Sequence, residues 1–245
     1  MQLAGIDLAW RSIQNPTALA VGSLTGGELV LTGVANDLFG IGSIVCYPSN
    51  LHDLAGIAID GHLVIENSSG QRKCETLIGK EYGSRYASCH TSNLSLFPSA
   101  DSVQLSRILS SIGFQYLGAT TGKWHIECYP YPALIEIFAL KERHQYKKGP
   151  ISTKRSGQCE LADFLLRLAG SNILRLTVPN SFSQTLSHCH IESLSGTALK
   201  QNEDILDAIV CPYVGGLYAI GIKDQVFGDA VNGYIYVPRV PRIVG

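Results

Sequence analysis

Short apolar segments separated by turn residues predict most of the strands in this chain. The first three segments cover residues 3–9, 17–24 and 28–34, and a Thr-Gly-Gly turn at 25–27 separates the second from the third. Because tight turns join neighbouring strands in opposite directions, the pattern predicts an antiparallel meander.

Later apolar segments predict a second, parallel part of the sheet. Residues 54–59 form a continuous apolar run that is too short for a helix and is typical of a strand covered on both faces. Residues 123–129 alternate as a strand does and end at Pro130, and residues 226–237 predict a closing hairpin.

Apolar positions at helical spacing predict several helices between these strands. The predicted helices are a weak one within 37–47, a short one near 74–82, one over 101–113 capped by Asp101, one that begins at Pro132, one over 159–169, and one over 202–218 capped by Asn202. The stretch 62–99 otherwise predicts a long ordered loop, and 173–199 has no clear assignment. With no repeat, low-complexity segment or linker, we predict a single α/β domain over residues 1–245.

Composition excludes several classes of protein. A hydrophobic content of 45% with 16% charged residues is typical of a compact fold and excludes extended disorder. No apolar run reaches the length of a membrane span and no leader pattern precedes the first strand, so we expect a cytoplasmic protein without a membrane segment. The seven cysteines lack paired spacing, which predicts free thiols. A net charge of -1 means that any site for a polyanion must be local.

Acidic residues stand where strands or helices would bury them. Asp7 lies within the first apolar strand, where a carboxylate needs a metal ion, a hydrogen-bond donor or a cation, unless it caps a turn. Asp60 follows the strand over 54–59, at the end where ligands bind parallel sheets, and Glu127 lies near the end of its strand. Asp204 and Asp207 share a face of the last helix, where the helix dipole is an alternative reason for an acid.

One basic cluster and two histidines are further candidates. His90 and His125 are each either a general acid or base, or a packed or surface residue. The cluster predicts either a solvated helix end and loop or a surface that contacts phosphate. Its members are Lys141, Arg143, Lys147, Lys148, Lys154 and Arg155, with His144 and Tyr146 between them.

Short motifs distributed along almost the whole chain indicate a family. They are Ala4-Gly5-Ile6-Asp7, Ala58-Ile59-Asp60, Gly70-Gln71-Arg72-Lys73-Cys74, Glu127-Cys128-Tyr129-Pro130, Tyr146-Lys147-Lys148 followed by Arg155, and Asp204-Ile205-Leu206-Asp207-Ala208. In order and spacing the chain resembles the family called domain of unknown function 429, whose members are predicted to be ribonuclease H-like nucleases. It departs from the family in carrying Gly61-His62-Leu63 where a Pro-containing turn is usual.

The resemblance implies a ribonuclease H-like fold, in which a mixed sheet of an antiparallel meander plus parallel strands is flanked by helices. It also implies two divalent cations, Mg²⁺ or Mn²⁺, which stabilise the attacking water and the leaving oxygen of a phosphodiester. Asp204 is the alternative to Asp207 in this assignment. The implied catalytic residues and metal ligands are Asp7, Asp60, Glu127 and Asp207, and the implied substrate-phosphate contacts are Arg72, Lys147 and Lys148.

Three functional hypotheses follow. The first is a metal-dependent nuclease that acts on RNA or structured DNA. The second is another phosphoryl-transfer or small-molecule enzyme that uses the same acids. The third is a non-catalytic ribonuclease H-like binding module, for which metal would neither bind to the acids nor stabilise the protein.

Overall fold

A mixed nine-stranded β-sheet organises the residues that this computed structural model describes, which are 1–10, 12–47, 54–222 and 225–240. The strands are β1 (Gln2–Asp7), β2 (Thr17–Thr25), β3 (Glu28–Leu38), β4 (Leu54–Asp60), β5 (Gln115–Tyr116), β6 (Trp124–Cys128), β7 (Arg175–Thr177), β8 (Val226–Asp229) and β9 (Gly233–Tyr236). Eight of them lie in the order β7-β3-β2-β1-β4-β6-β9-β8, and β5 pairs with β6.

The directions of the strands confirm the predicted combination of a meander and parallel strands. The strands β1, β2 and β3 are antiparallel neighbours, whereas β1, β4 and β6 are parallel. The strands β8 and β9 form the predicted closing hairpin. The chain therefore has a mixed α/β architecture in which the carboxyl ends of β1, β4 and β6 lie at one edge of the sheet.

Seven helices flank the sheet in the described residues. They are α1 (Gly40–Cys46), α2 (Lys73–Tyr82), α3 (Asp101–Ser111), α4 (Pro130–Ile137), α5 (Ile151–Arg167), α6 (His188–Ser193) and α7 (Gly196–Ala219). Residues 173–199, which the sequence left unassigned, contain β7, a short 3₁₀ turn and α6. Among the described helices, none combines the length and the apolar character that a membrane span requires. All seven cysteines are free, as predicted.

Three predicted helix starts and one predicted helix cap were wrong. Helix α7 begins at Gly196, six residues before Asn202. Asn202 therefore lies within the helix and does not cap it, and its side-chain amide donates a hydrogen bond to Gln158 at 3.0 Å. In α3 the cap position is Ala100, and the Asp101 carboxylate instead accepts hydrogen bonds from the Ser12 backbone and hydroxyl. In each case a side chain with capping chemistry has a partner from a distant part of the chain. Helices α4 and α5 also begin earlier than predicted, at Pro130 and Ile151.

The two faces of the sheet carry separate apolar clusters. Strand residues such as Ile6 and Ile59 face one cluster, which includes Leu105 of α3. Their neighbours in the strands, such as Leu3 and Ala58, face the other cluster, which α7 dominates. Because successive residues of a strand point to opposite faces, Asp7 and Asp60 lie on the α7 face.

Helix α7 lies very close to β1. A Cβ atom added to Gly5 would overlap the ring and backbone nitrogen of Pro212, a proline inside α7. Proline lacks the N–H that would bond the preceding turn, and glycine leaves room for its ring. This contact places α7 directly over the strands that carry Asp7 and Asp60.

Candidate functional site

Three acids that the sequence predicted as ligands come together at the carboxyl ends of β1 and β4. Asp7 and Asp60 are the last residues of these parallel strands and are partners in the strand register. Asp207, from the middle of α7, is fully buried above them. One carboxylate oxygen from each acid lies within 4.8 Å of the others. We call Asp7, Asp60 and Asp207 the acid group.

Burial makes negative charge costly in the acid group. Burial raises the pKa of Asp60 to about 7, and the neighbouring Asp207 carboxylate adds to this effect while Lys147 opposes it. Burial, followed by repulsion from Asp207, also raises the pKa of Asp7 well above its ordinary value. A bound cation would relieve both effects, because it favours the charged form of each acid.

Lys147 lies against the acid group rather than on the surface. Its ammonium forms an ion pair with the Oδ2 atom of Asp207, and the Tyr146 hydroxyl donates to the Oδ1 atom at 2.5 Å. The Lys147 Nζ atom also lies 5.2 Å from the centre of the Tyr131 ring. Burial alone would lower the pKa of Lys147, but the Asp207 carboxylate raises it well above its ordinary value. The lysine therefore stays charged and partly balances the acids.

Glu127, the fourth predicted ligand, lies outside the acid group. In the register between β4 and β6, Glu127 pairs with Ile59, whereas Cys128 pairs with Asp60. Strand alternation therefore turns Glu127 toward the α3 face. Its carboxylate accepts two hydrogen bonds from the Arg72 guanidinium, at 2.9 and 2.6 Å.

Arg72, predicted to contact substrate phosphate, is occupied by protein carboxylates. Its side chain is only 1% exposed, and its Nε atom donates to Glu75 at 2.8 Å while its terminal nitrogens bond Glu127. The Glu75 carboxylate also accepts from the Ser92 backbone at 3.1 Å. In this position Arg72 neutralises two buried acids, and its guanidinium N–H groups are not available for a bidentate contact with a phosphate.

The remaining candidates separate into cleft and core residues. The acid group opens into a cleft of about 880 Å³, whose lining includes the exposed Lys148 and also His90. His125 is instead fully buried, with its ring nitrogens 2.9 Å from the Ser106 hydroxyl and 3.1 Å from the Phe114 carbonyl oxygen. Burial lowers the pKa of His125 to about 4, so it is a neutral core residue.

Asp204 lines the same cleft but is not a member of the acid group. The Asp204 carboxylate forms an ion pair with Lys200 one turn earlier in α7, so the structure selects Asp207 as the third acid. Arg143 lines the cleft together with the two lysines at 147 and 148. Arg155 lies in α5, where its Nε atom donates to the Leu194 carbonyl at 2.7 Å, and it does not line the cleft.

Among the residues that line the cleft and that sequence reasoning missed are Trp10, His62 and Lys200. Trp10 lies three residues beyond Asp7, and His62 lies two residues beyond Asp60. Loops that follow the carboxyl ends of parallel strands carry ligand contacts in many α/β proteins, and this position was the available signal. The segment Gly61-His62-Leu63, which directly follows β4, places the His62 ring in the cleft.

The donors of the acid group fit a hard divalent cation. Three carboxylates whose oxygens converge are the ligands that Mg²⁺ and Mn²⁺ prefer. Three ionised carboxylates and the Lys147 ammonium leave two negative charges, which one divalent cation balances. These three carboxylates could therefore hold a first cation without Glu127.

Comparisons with known proteins give a family but no characterised relative. The model of a family described as Protein of unknown function (DUF429) matches residues 5–231, a span that includes the whole acid group. No curated protein and no solved structure matches the chain.

Proposed function

The chain belongs to the DUF429 family, and from the geometry of its site we propose that it is a ribonuclease H-like hydrolase that uses divalent cations to cleave phosphodiester bonds. The convergence of Asp7, Asp60 and Asp207 at the base of a cleft is the observation that carries this proposal. Phosphodiester chemistry needs charge stabilisation around a phosphate, and such a set of acids can supply it through Mg²⁺ or Mn²⁺.

The strand order supports the ribonuclease H-like part of the proposal. The order β3-β2-β1-β4-β6 joins an antiparallel meander to parallel strands. Acids stand at the ends of β1 and β4 and on the late helix α7. This is the placement that the resemblance of the sequence implies for ligands of two cations.

The chain's own residues have separate roles in this proposal. Bound Mg²⁺ or Mn²⁺ would lower the pKa of a coordinated water and polarise the phosphate oxygen. Asp7, Asp60 and Asp207 would hold the cation, and the hydrogen bond from Tyr146 together with the ion pair from Lys147 fixes the orientation of Asp207. The residues Arg143 and Lys148 would add positive charge for the phosphates of the substrate.

A second candidate function is a binding module without catalysis, and the position of Lys147 favours it. A lysine that already compensates one carboxylate allows the acid group to persist without a metal ion. In that case the cleft would bind an anionic ligand through Lys147, Lys148 and Arg143, and the acids would only position Lys147.

Hydrolysis assays test the proposal. We expect the purified protein to cleave RNA or DNA oligonucleotides with Mg²⁺ or Mn²⁺ and to lose this activity in a chelator. Asp207→Asn should reduce the rate by about 100-fold or more, because it removes a ligand whose position the protein fixes. Asp163→Asn is the matched control, since Asp163 is an exposed acid of α5 whose partner is His188.

Thermal unfolding separates the two candidate functions. A cation that binds only the folded protein, and whose free concentration is 100 times its dissociation constant, adds about 2.7 kcal/mol to the free energy of unfolding. We expect Mn²⁺ to raise the midpoint of the wild type and of Asp163→Asn, but not that of Asp207→Asn. No response to metal in the wild type, together with no hydrolysis, would contradict the nuclease and leave the binding module.

A further inference from the structure

An exposed indole lines the cleft into which the acid group opens. Trp10 lines the same cleft as Asp7 and Asp60, and its side chain is 51% exposed. The other tryptophan of the chain, Trp124, is fully buried. A half-exposed indole in a cleft provides a large flat surface for a ligand at little cost in side-chain entropy.

Three other aromatic rings contact Trp10, and none of them stacks face to face on the indole. The centres of the His62, His90 and Phe97 rings lie 5.4, 5.5 and 5.2 Å from the indole. Their planes make angles of 68°, 83° and 80° with it, so none of them is parallel to the indole. Edge-to-face contacts of this kind hold an aromatic ring in place.

Hydrogen bonds hold the loop that carries Phe97 in a defined conformation. The Phe97 backbone N–H donates to the Asn93 carbonyl at 2.9 Å, and the Asn93 side chain donates to the Gly70 carbonyl at 3.0 Å. Asn93 itself is only 4% exposed. We call Trp10, His62, His90 and Phe97 the aromatic cluster: the first three line the cleft, and Phe97 packs against Trp10 from a hydrogen-bonded loop. Such support reduces the entropy that must be lost on binding.

We propose that Trp10, supported by His62, His90 and Phe97, is a stacking subsite for an unpaired nucleobase, which makes the substrate single-stranded nucleic acid. This inference rests on the proposed function. A nucleic-acid phosphodiester at the acid group carries a nucleoside on each of its two ester oxygens, so a nucleobase would lie nearby. Every nucleobase has a flat face that stacks on an aromatic side chain, and in a duplex both faces are already covered. The cleft of about 880 Å³ has the volume of a site for a small ligand of nucleotide size.

Charge in the cleft is compatible with this occupant. Lys148 is exposed, and the Nε atom of Arg143 is buried without a hydrogen-bond partner. Both line the cleft with Trp10. A nucleotide offers a base for the aromatic cluster and phosphate oxygens for these cations, whereas an apolar ligand would leave the cations without partners.

Calorimetric titration with AMP and with ribose 5-phosphate tests the subsite, because the two probes share a phosphate and differ in the base. We expect the wild type, with Mg²⁺ present, to bind AMP roughly tenfold or more tightly than ribose 5-phosphate. Trp10→Ala should bind the two probes equally, and Trp10→Phe should keep most of the preference. Phe39→Ala is the matched control, since Phe39 is an aromatic residue that is 52% exposed and does not line the cleft.

Equal affinity of the wild type for both probes would overturn the inference, and so would an unchanged preference in Trp10→Ala. A single-stranded oligonucleotide should also compete with AMP roughly tenfold better than its duplex, and equal competition would contradict the single-stranded substrate. Failure of the proposed function has a different signature. In that case no oligonucleotide is hydrolysed, while the preference for AMP and its dependence on Trp10 remain measurable.

Discussion

Protonation of the buried Asp60 should affect the stability of the protein. Its pKa is raised from 3.8 to about 7 by burial, so the folded protein holds a proton that the unfolded chain releases. The contribution of Asp60 to the free energy of unfolding therefore falls as the pH rises from about 4 to 7. His62 and His125 act in the opposite direction, because burial lowers their pKa values to about 4 and favours folding as the pH rises to 6.5.

A comparison of the wild type with Asp60→Asn isolates the acid from these histidines. In chelator at pH 8, we expect the variant to be more stable by roughly 2 to 4 kcal/mol, and this difference should vanish near pH 4. Urea unfolding at several pH values measures it. A difference that does not change with pH would show that Asp60 is not the titrating group. Added Mg²⁺ should reduce the difference, because it stabilises the charged acid in the wild type.

Glu127 should contribute to stability rather than to the metal site. Replacement by Gln leaves the buried Arg72 guanidinium without one of its two carboxylates, so we expect a loss of about 3 to 5 kcal/mol in the free energy of unfolding. The gain in midpoint with Mn²⁺ should persist. Glu136→Gln is the matched control, since its ion pair with Arg85 is partly exposed and should be worth about 0 to 1 kcal/mol. Loss of the metal response in Glu127→Gln would restore Glu127 as a ligand.

Among the elements, strands were easier to predict from the sequence than helix starts. The strands β1, β2 and β4 match the predicted apolar runs closely, because burial and turn residues determine them locally. The start of α7 was missed, because the partner of Asn202 is Gln158, a residue of α5. The face of the sheet on which the Glu127 side chain lies could not be predicted for a related reason. It depends on the register between β4 and β6, which no local pattern specifies.

The close contact between β1 and α7 should affect both the stability of the protein and the position of Asp207 in the acid group. Gly5→Ala introduces a methyl group against the rigid Pro212, so we expect it to cost about 3 kcal/mol or more and to weaken the response to metal by displacing Asp207. Gly79→Ala in α2 is the control, because nothing lies within 4 Å of the added Cβ and helix propensity should stabilise it by about 0.5 to 1 kcal/mol. Thermal unfolding with and without Mn²⁺ measures both effects, and a fully stable Gly5→Ala would contradict the close approach.

For the whole molecule, the net charge of -1 limits how nucleic acid can bind. Positive charge near the acid group comes mainly from Arg143, Lys147 and Lys148, which would contact two or three phosphates. The logarithm of the affinity for a single strand should therefore fall with the logarithm of salt concentration with a slope of only about -1 to -2. Fluorescence anisotropy over a salt series checks this. A slope far steeper than this would require a basic surface outside the cleft.

The sequence predicted the members of the acid group better than the shape of the cleft. Asp7, Asp60 and Asp207 could be predicted because buried or strand-end acids are unusual and because the family resemblance ordered them. The positions of Trp10 and His62 just after β1 and β4 were a signal, but only the folded loops bring their rings together. Lys147 was predicted to contact substrate, and its ion pair with Asp207 depends on the packing of α7 over the sheet.

The acid group joins residue 7 to residue 207, and this separation affects when the site can form during synthesis. The strands that carry Asp7 and Asp60 leave the ribosome long before α7 (Gly196–Ala219) does. Until then the nascent chain has two of the three acids and lacks the helix that covers them. A chain that depends on so distant a contact brings its three acids together only after α7 has been made, so any property of the acid group appears late in synthesis.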